Sequence, residues 1–451
     1  MHNDDTIVAI ATPAGRGGIG VVRLSGPDAQ QIAGPLLRLK HELTPGQARF
    51  GELVDPQNGA KLDEVVATFF AAPHSYTTDD IIEISAHGSP VLLGWLVDRC
   101  LAAGARLAEP GEFTMRAFMN GRLDLAQAEA VHDLIEAQTL TQARVAAQQL
   151  DGAVSRSLKP GKEKLIALIA RLEAGVDFAE DDISVAPEDE IQRGIAAVIG
   201  PLSDFAATFA FGKVVHEGIT LAIVGRPNVG KSSLFNRLVE RERAIVTAVP
   251  GTTRDLVTET VSIGGVPVKL VDTAGIRDAK DEAESIGVTK SFEAMADAGI
   301  VLLVFDASET AGTKDVGAED EKLRQSLVGR PVIVVANKSD LVGDSGLAAD
   351  IRTSAKTGEG IAELRKMILQ RCTTGVPEMQ SAMLTNARHH ALIEAAIEKL
   401  GHATDAVRQR IPHEMLLLDL YAALQSLDEI TGKTSAEDIL HTIFSRFCIG
   451  K

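Results

Sequence analysis

The segment Gly225-Arg-Pro-Asn-Val-Gly-Lys-Ser232 constrains the fold of this chain more than any other. It satisfies G-x-x-x-x-G-K-[ST] and follows the apolar run Ile219–Val224. It leads into Ser233-Leu-Phe-Asn-Arg-Leu-Val, so strand, glycine-rich turn and helix are expected in succession. The glycines let backbone N–H groups curl around phosphate oxygens, and the helix N-terminus adds partial positive charge. Lys231 is expected to reach the terminal phosphates and Ser232 to ligate magnesium, with Asn228, Val229, Gly230 and Ser233 completing the cradle. The pattern implies nucleoside triphosphate binding.

The base is indicated further along the chain. Two apolar strands are expected at Val301–Phe305 and Val332–Ala336, the second ending in Asn337-Lys338-Ser339-Asp340. N-K-x-D at a strand end reads guanine, because the Asp carboxylate accepts two hydrogen bonds that adenine cannot supply. Ser354-Ala355-Lys356 resembles the loop that holds the base's carbonyl oxygen, and Asp272-Thr273-Ala274-Gly275 is the D-x-x-G element for magnesium and the γ-phosphate. Each tetrapeptide alone is weak, but their order together is highly specific. The stretch Gly218–Cys372 resembles the translation-factor-related GTPase class, a doubly wound α/β domain.

Around this segment the pattern changes. Residues 1–121 read as mixed α/β, with a short apolar segment at Thr6–Thr12 and a glycine-rich turn at Gly15–Gly20. Strands are expected at Gly20–Leu24, Val65–Phe70 and Ile81–Ser85, and a helix at Pro90–Ala103. Asp124–Leu150, Leu158–Val176 and about Pro187–Phe209 carry apolar residues at helical spacing, as do His389–Val407, His413–Ile430 and Ser435–Phe447. The economical division is an N-terminal domain (1–121) and a helical domain in two halves (122–215 and 377–451), split by an inserted GTPase domain (216–376). Gly432-Lys433-Thr434 imitates half a P-loop, but Leu427 stands where the first glycine belongs, so it reads as a helix–helix turn.

Composition narrows the class. A chain of 451 residues should hold about two or three domains. A net charge of −17 argues against nonspecific coating of nucleic acid, and aromatics at 4% leave few stacking platforms for single-stranded RNA. No apolar run approaches the roughly 18–20 residues of a membrane span, and Met1-His-Asn-Asp-Asp lacks the basic start of a signal peptide. Cys100, Cys372 and Cys448 form neither a disulfide framework nor a zinc site, so a reducing, cytoplasmic compartment with no membrane association is expected.

Hydrolysis raises two questions. Ile276 stands where Ras-like GTPases carry the glutamine that orients water, so another group must take that role. Asp281, Glu282 and Glu284 follow in an acid-rich stretch, and on residues alone they are equivalent. The phosphoryl charge also needs neutralising, and Thr247-Ala248-Val249-Pro250-Gly251-Thr252-Thr253-Arg254-Asp255 contains the switch threonine, Thr253, expected on magnesium. Asn228 combined with this G-T-T-R-D loop resembles the potassium-activated GTPases, in which a monovalent cation is held by the Asn and by loop oxygens, here Thr247, Val249 and Thr252. That resemblance implies stimulation by potassium over sodium at matched ionic strength; Arg254 as a finger in trans is the alternative.

Three further stretches carry a family resemblance: Asp5–Gly26, Pro110–Ala130 and the terminal Cys448-Ile-Gly-Lys451. With Ile276-Arg-Asp-Ala-Lys-Asp-Glu-Ala-Glu284 they resemble the bacterial and organellar tRNA-modification GTPases that act at the wobble uridine. The resemblance runs the length of the chain. It implies an N-terminal domain that dimerises and binds a reduced folate (5-formyl- or methylene-tetrahydrofolate). It also implies a separate FAD-dependent partner in a heterotetramer or larger assembly, acting on tRNA. The pair installs an aminomethyl or carboxymethylaminomethyl group on carbon 5 of the uridine, and GTP hydrolysis drives a conformational cycle. Glu284 falls on the family's water-orienting acid. Arg23, Glu83, Arg122 and Lys451 match folate positions, with Arg122 replacing a frequent Lys but keeping the cation. Cys448 lies close to Lys451, and an adjacent ammonium favours thiolate, so a catalytic thiol and an inert tail residue both stay open. A ribosome-assembly GTPase is the alternative function, although no basic RNA-binding domain is evident.

Overall fold

The computed structural model describes residues 5–177, 187–240, 257–272, 298–308, 323–325, 327–342, 349–372, 383–433 and 437–450. Two compact units emerge, one made of Met1–His132, Gln149–Ser155 and Gln425–Lys451, the other of Asp133–Gln148 and Arg156–Leu424. The architecture is α/β with a helical domain, as the sequence leads one to expect.

The first unit is built on seven strands: β1 (Ile7–Ile10), β2 (Gly17–Ser25), β3 (Leu37–Leu39), β4 (Ala48–Val54), β5 (Lys61–Phe70), β6 (Ile81–Gly88) and β7 (Arg106–Leu107). Their order is β3-β4-β5-β6-β2-β1-β7, antiparallel except for the β1–β7 pair. Helices α1 (Ala29–Ala33) and α2 (Pro90–Ala102) cover one face, where Val8, Val22, Leu24, Leu53, Ile82, Ile84, Leu93 and Leu96 form the core. The glycine-rich segment expected as a turn instead starts β2 at Gly17, with a register shift against β6 between Gly17 and Gly20. Gly88 makes this approach possible, since a Cβ there would sit 2.7 Å from Gly17 O.

Helix α3 (Glu112–Met119) precedes α4 (Leu125–Glu136), α5 (Leu140–Leu150) and α6 (Ala153–Asp177). The single helix expected over Asp124–Leu150 is thus two. Thr139 Oγ1 accepts from Gln142 N at 3.2 Å while Gln142 Oε1 accepts from Thr139 N at 3.0 Å, a reciprocal cap that starts a new helix. The helix expected at about Pro187–Phe209 is α7 (Glu188–Ala207), and a further helix, α8 (Phe209–Glu217), follows it.

In the second unit β8 (Ile219–Val224) leads into α9 (Lys231–Val239), followed by β9 (Val257–Ile263), β10 (Val266–Asp272), β11 (Ile300–Asp306), β12 (Val332–Asn337), β13 (Ile351–Arg352) and α10 (Ile361–Cys372). The order β13-β12-β11-β8-β10-β9 is parallel save for the β10–β9 hairpin. Every residue of β11 is buried, as a parallel strand covered on both faces requires. The chain passes from β8 to β10 on one side and to β11 on the other, so β8 ends at a topological switch point.

Helices α11 (Ala387–Arg408), α12 (His413–Thr431) and α13 (Glu437–Phe444) complete the description. Among the described residues one helical run, Glu188–Glu217, is long and apolar enough to cross a membrane by length and composition. Arg193 and Asp204 interrupt it, so it is not an unbroken apolar run. Its stripe Ile191, Ile195, Val198 and Leu202 is buried, and α7 packs on α11, whose Ile393, Ala396 and Leu400 are buried too. This is how an amphipathic bundle helix buries its apolar face.

Candidate functional site

The turn after β8 is shaped by residues without side-chain bulk. Gly225 has φ 153° and a Cβ there would lie 2.3 Å from Val304 O, while Gly230 has φ 94° and a Cβ would lie 2.3 Å from Asn337 Nδ2. Asn228 sits at φ 62°, left-handed, and its side chain is exposed. The result is a tight cradle that opens on the N-terminus of α9, where Ser232 and Ser233 are exposed and Lys231 is buried. Lys231 Nζ donates to Gly225 O at 2.9 Å and Arg226 O at 2.8 Å, which holds the ammonium within the curve of the loop. A concave backbone, a lysine and a helix N-terminus together fit a polyphosphate.

Asn337 ties this loop to the base-reading elements. Its Nδ2 donates to Val229 O at 2.9 Å, while its Oδ1 accepts from Ala355 N at 3.1 Å. Asp340 Oδ1 accepts from Ser354 Oγ at 2.6 Å, so N-K-x-D and S-A-K are joined directly. Lys338 is left-handed at φ 63°, and its ammonium bonds Asp306 Oδ2 at 2.6 Å at the end of β11. Burial works to raise the Asp306 carboxyl, but Lys338 and Ser308 outweigh it and hold the group below the ordinary aspartate range. Asp306 was not singled out from sequence, since an Asp closing an apolar strand carries no motif of its own.

The structure therefore brings together Asn228–Ser233, Asn337, Lys338, Asp340 and Ser354–Lys356. Asp272 closes β10 beside β8, paired with Ile223. Thr247, Ala248, Val249, Pro250, Gly251, Thr252, Thr253, Thr273, Ala274, Gly275 and Glu284 lie outside the described residues, as do Arg254 and Lys451.

In the first unit a second constellation gathers on the sheet. Arg23 on β2 and Glu83 on β6 are register partners, joined by Nε–Oε1 at 2.8 Å and Nη2–Oε1 at 2.7 Å. Arg23 Nη1 also donates to Gly450 O at 3.4 Å, which brings the tail to the pair. Tyr76 lies between two cations, its ring centroid 5.8 Å from the Arg23 guanidinium and 4.9 Å from that of Arg122. Arg122 Nη1 donates to Tyr76 O at 2.7 Å, and the Tyr76 hydroxyl meets Thr114 Oγ1 at 3.0 Å. Burial pushes the Tyr76 hydroxyl up, against the opposing pull of that bond and of the two arginines. A carboxylate that accepts, two guanidiniums that donate and an aromatic ring that stacks are a set that fits a flat heteroaromatic ring with an anionic tail. Tyr76 was missed by sequence reasoning, though it is one of only two tyrosines in the chain.

Of the three cysteines, burial pushes Cys100 and Cys372 up to about 12, which leaves them inert thiols. Cys448 is exposed, and its carbonyl accepts from Gly111 N at 3.4 Å.

Known proteins resemble this chain throughout. The family described as MnmE helical domain matches residues 125–448, and GTP-binding protein TrmE N-terminus matches 6–122. A protein of Koribacter versatilis named tRNA modification GTPase MnmE is 62% identical over 458 residues, covering 100% of both chains. One of the same name from Aquifex aeolicus is 44% identical over 457 residues, covering 99% of this chain and 100% of the relative. Among solved structures, Aquifex aeolicus Era bound to GDP.AlF4- is 29% identical, covering 40% of this chain and 66% of its own, with a TM-score of 0.28. The chain, with its nucleotide cradle at the end of β8 and its guanine-type strand end at β12, is a GTP hydrolase and belongs to the tRNA modification GTPase MnmE family.

Proposed function

We propose that this GTPase, as a homodimer, works with a separate FAD-dependent protein to modify certain tRNAs. It adds an aminomethyl or carboxymethylaminomethyl group, with a reduced folate as one-carbon donor, to carbon 5 of the wobble uridine. In this reading residues 1–121 bind folate and dimerise, 216–376 form the GTPase insert, and 122–215 with 377–451 form the helical domain; the work takes place in the cytoplasm. The P-loop N–H groups and Lys231 hold the phosphates, and Ser232 with Thr253 holds magnesium. Glu284 orients the attacking water. A potassium ion held by Asn228, Thr247, Val249 and Thr252 supplies the charge that an arginine finger supplies elsewhere. Folate is held by Arg23, Glu83, Arg122 and Lys451, and Cys448 is the candidate thiol for the uridine chemistry.

The observation that carries this reading is the meeting of Arg23, Glu83, Arg122 and the tail at Gly450 around Tyr76. GTP hydrolysis alone gives no reason for such a site; a folate-dependent modification does. The test is nucleoside mass spectrometry of bulk tRNA from cells with and without the protein. Loss of carbon-5 aminomethyl-type groups from wobble uridines is the expected result. Unchanged nucleosides with unassembled ribosomal subunits accumulating would replace this reading with the assembly-factor one.

A further inference from the structure

We infer that Arg237 is a positioning residue for base recognition, acting from the phosphate-side helix on the loop and carboxylate that read guanine. Arg237 stands on α9, the helix that Lys231 opens. Its Nε donates to Ala355 O at 2.9 Å and its Nη2 to Lys356 O at 2.7 Å. Its Nη1 is held by Glu240 Oε2 at 2.8 Å, one turn along the same helix, which aims the fork.

Two successive carbonyls bound by one planar guanidinium fix two successive peptide planes. In a trans peptide the N–H points opposite to the C=O. Anchoring Ala355 O toward α9 therefore directs the Lys356 N–H away from that helix, the direction in which this loop can offer a donor to a base carbonyl. The next peptide is held at both ends. Its oxygen, Lys356 O, is on Arg237, and its N–H, on Thr357, donates to Ser354 Oγ at 3.1 Å. That hydroxyl in turn donates to Asp340 Oδ1 at 2.6 Å. A continuous path of hydrogen bonds thus runs from α9 to the carboxylate of N-K-x-D. Arg365, on α10, also reaches α9. It donates to Leu238 O at 2.7 Å, a cap on a carbonyl in the last turn of that helix.

The inference rests on the reading of Asn337–Asp340 and Ser354–Lys356 as the base site. Its test compares equilibrium affinities for GTP and for 2-aminopurine riboside triphosphate, which lacks the base oxygen, in the parent chain and in Arg237→Ala and Arg237→Lys. Loss of two charged hydrogen bonds to the loop should weaken GTP binding by about tenfold. The analogue should weaken much less, so that the ratio between the two nucleotides shrinks. Arg237→Lys keeps the charge and one donating nitrogen but not the planar fork, and should recover part of the ratio, which a general loosening of the domain would not give. Equal losses for both nucleotides, or no loss, would overturn the inference. Asp340→Asn, tested with guanine and xanthine nucleotides, separates the two failures. If it shifts preference to xanthine while Arg237→Ala leaves the ratio intact, the base site stands and Arg237's role falls. If it does not shift preference, the base-site reading falls and the inference with it.

Discussion

In the seven-stranded sheet the candidate site lies on a face, carried by mid-strand side chains. In the six-stranded sheet it lies beyond the ends of β8 and β12 and is built mostly from backbone. Arg23 and Glu83 meet because β2 and β6 are antiparallel and in register. An antiparallel sheet needs to bury only one face, so polar residues on the other remain available for a ligand. A parallel sheet covered on both sides has no such face: β11 is buried from end to end, and its first residue with polar chemistry is Asp306 at the terminus. Chemistry there is displaced to the strand ends, where loops and helix N-termini converge. The same difference governs robustness. The face site is tied by the Arg23–Glu83 pair and by single bonds from Arg122 and Tyr76, whereas the end site is cross-braced between its loops by Asn337, Ser354 and Arg237.

Lys231→Ala should have the largest effect. Removing the ammonium held within the curve of the loop should lower GTP turnover roughly a hundredfold or more, since it removes charge stabilisation that backbone N–H groups cannot replace. Folate affinity, read by fluorescence titration of the same protein, should be unchanged; a parallel loss would mean that the two sites do not act as separate constructions. Arg23→Ala comes next. Truncating one partner of a half-buried, hydrogen-bonded charge pair costs about 2 kcal/mol, or roughly thirtyfold in folate affinity. GTP turnover should hold steady, and retained folate affinity would remove the sheet face from the reading.

The smallest effect concerns Asp306. Its folded-state value is depressed, so its contribution to stability is fully present above the ordinary aspartate value of about 3.9 and is lost as pH falls through the lowered value. Asp306→Asn should therefore melt a few degrees below the parent at pH 7, a shift appropriate to about 1 kcal/mol. The gap should close as pH falls below about 4. Thermal melts followed by circular dichroism across that range check it, and a gap that widens in acid would contradict the assignment.

Residues contiguous in sequence were legible in proportion to how local their geometry is. The P-loop is a local object: two glycines and a lysine at fixed spacing determine the turn, and β8 spans the same Ile219–Val224 that the apolar run marked. The cap at Thr139 was also within reach, since Thr139-Leu-Thr-Gln142 has the spacing of a capping box, but the uninterrupted helical periodicity hid it. Tyr76 and Arg237 were not legible, because neither has a sequence neighbour that states its role. Tyr76 acquires meaning only when Arg23 and Arg122 arrive on either side of it, and Arg237 only when a loop more than a hundred residues later turns its carbonyls toward α9.

By itself, then, the sequence determined the nucleotide-binding class, the guanine-type base loop and the alternation of α/β and helical segments. These follow from short-range rules: spacing along a turn, periodicity along a strand or helix, and residues whose chemistry is tied to their backbone conformation. Tertiary structure alone decided which distant side chains became partners: Arg23 with Glu83, Lys338 with Asp306, Arg237 with Ala355 and Lys356. Pairing of this kind depends on strand register and on loop return, which are set by burial of the whole core and leave no local trace.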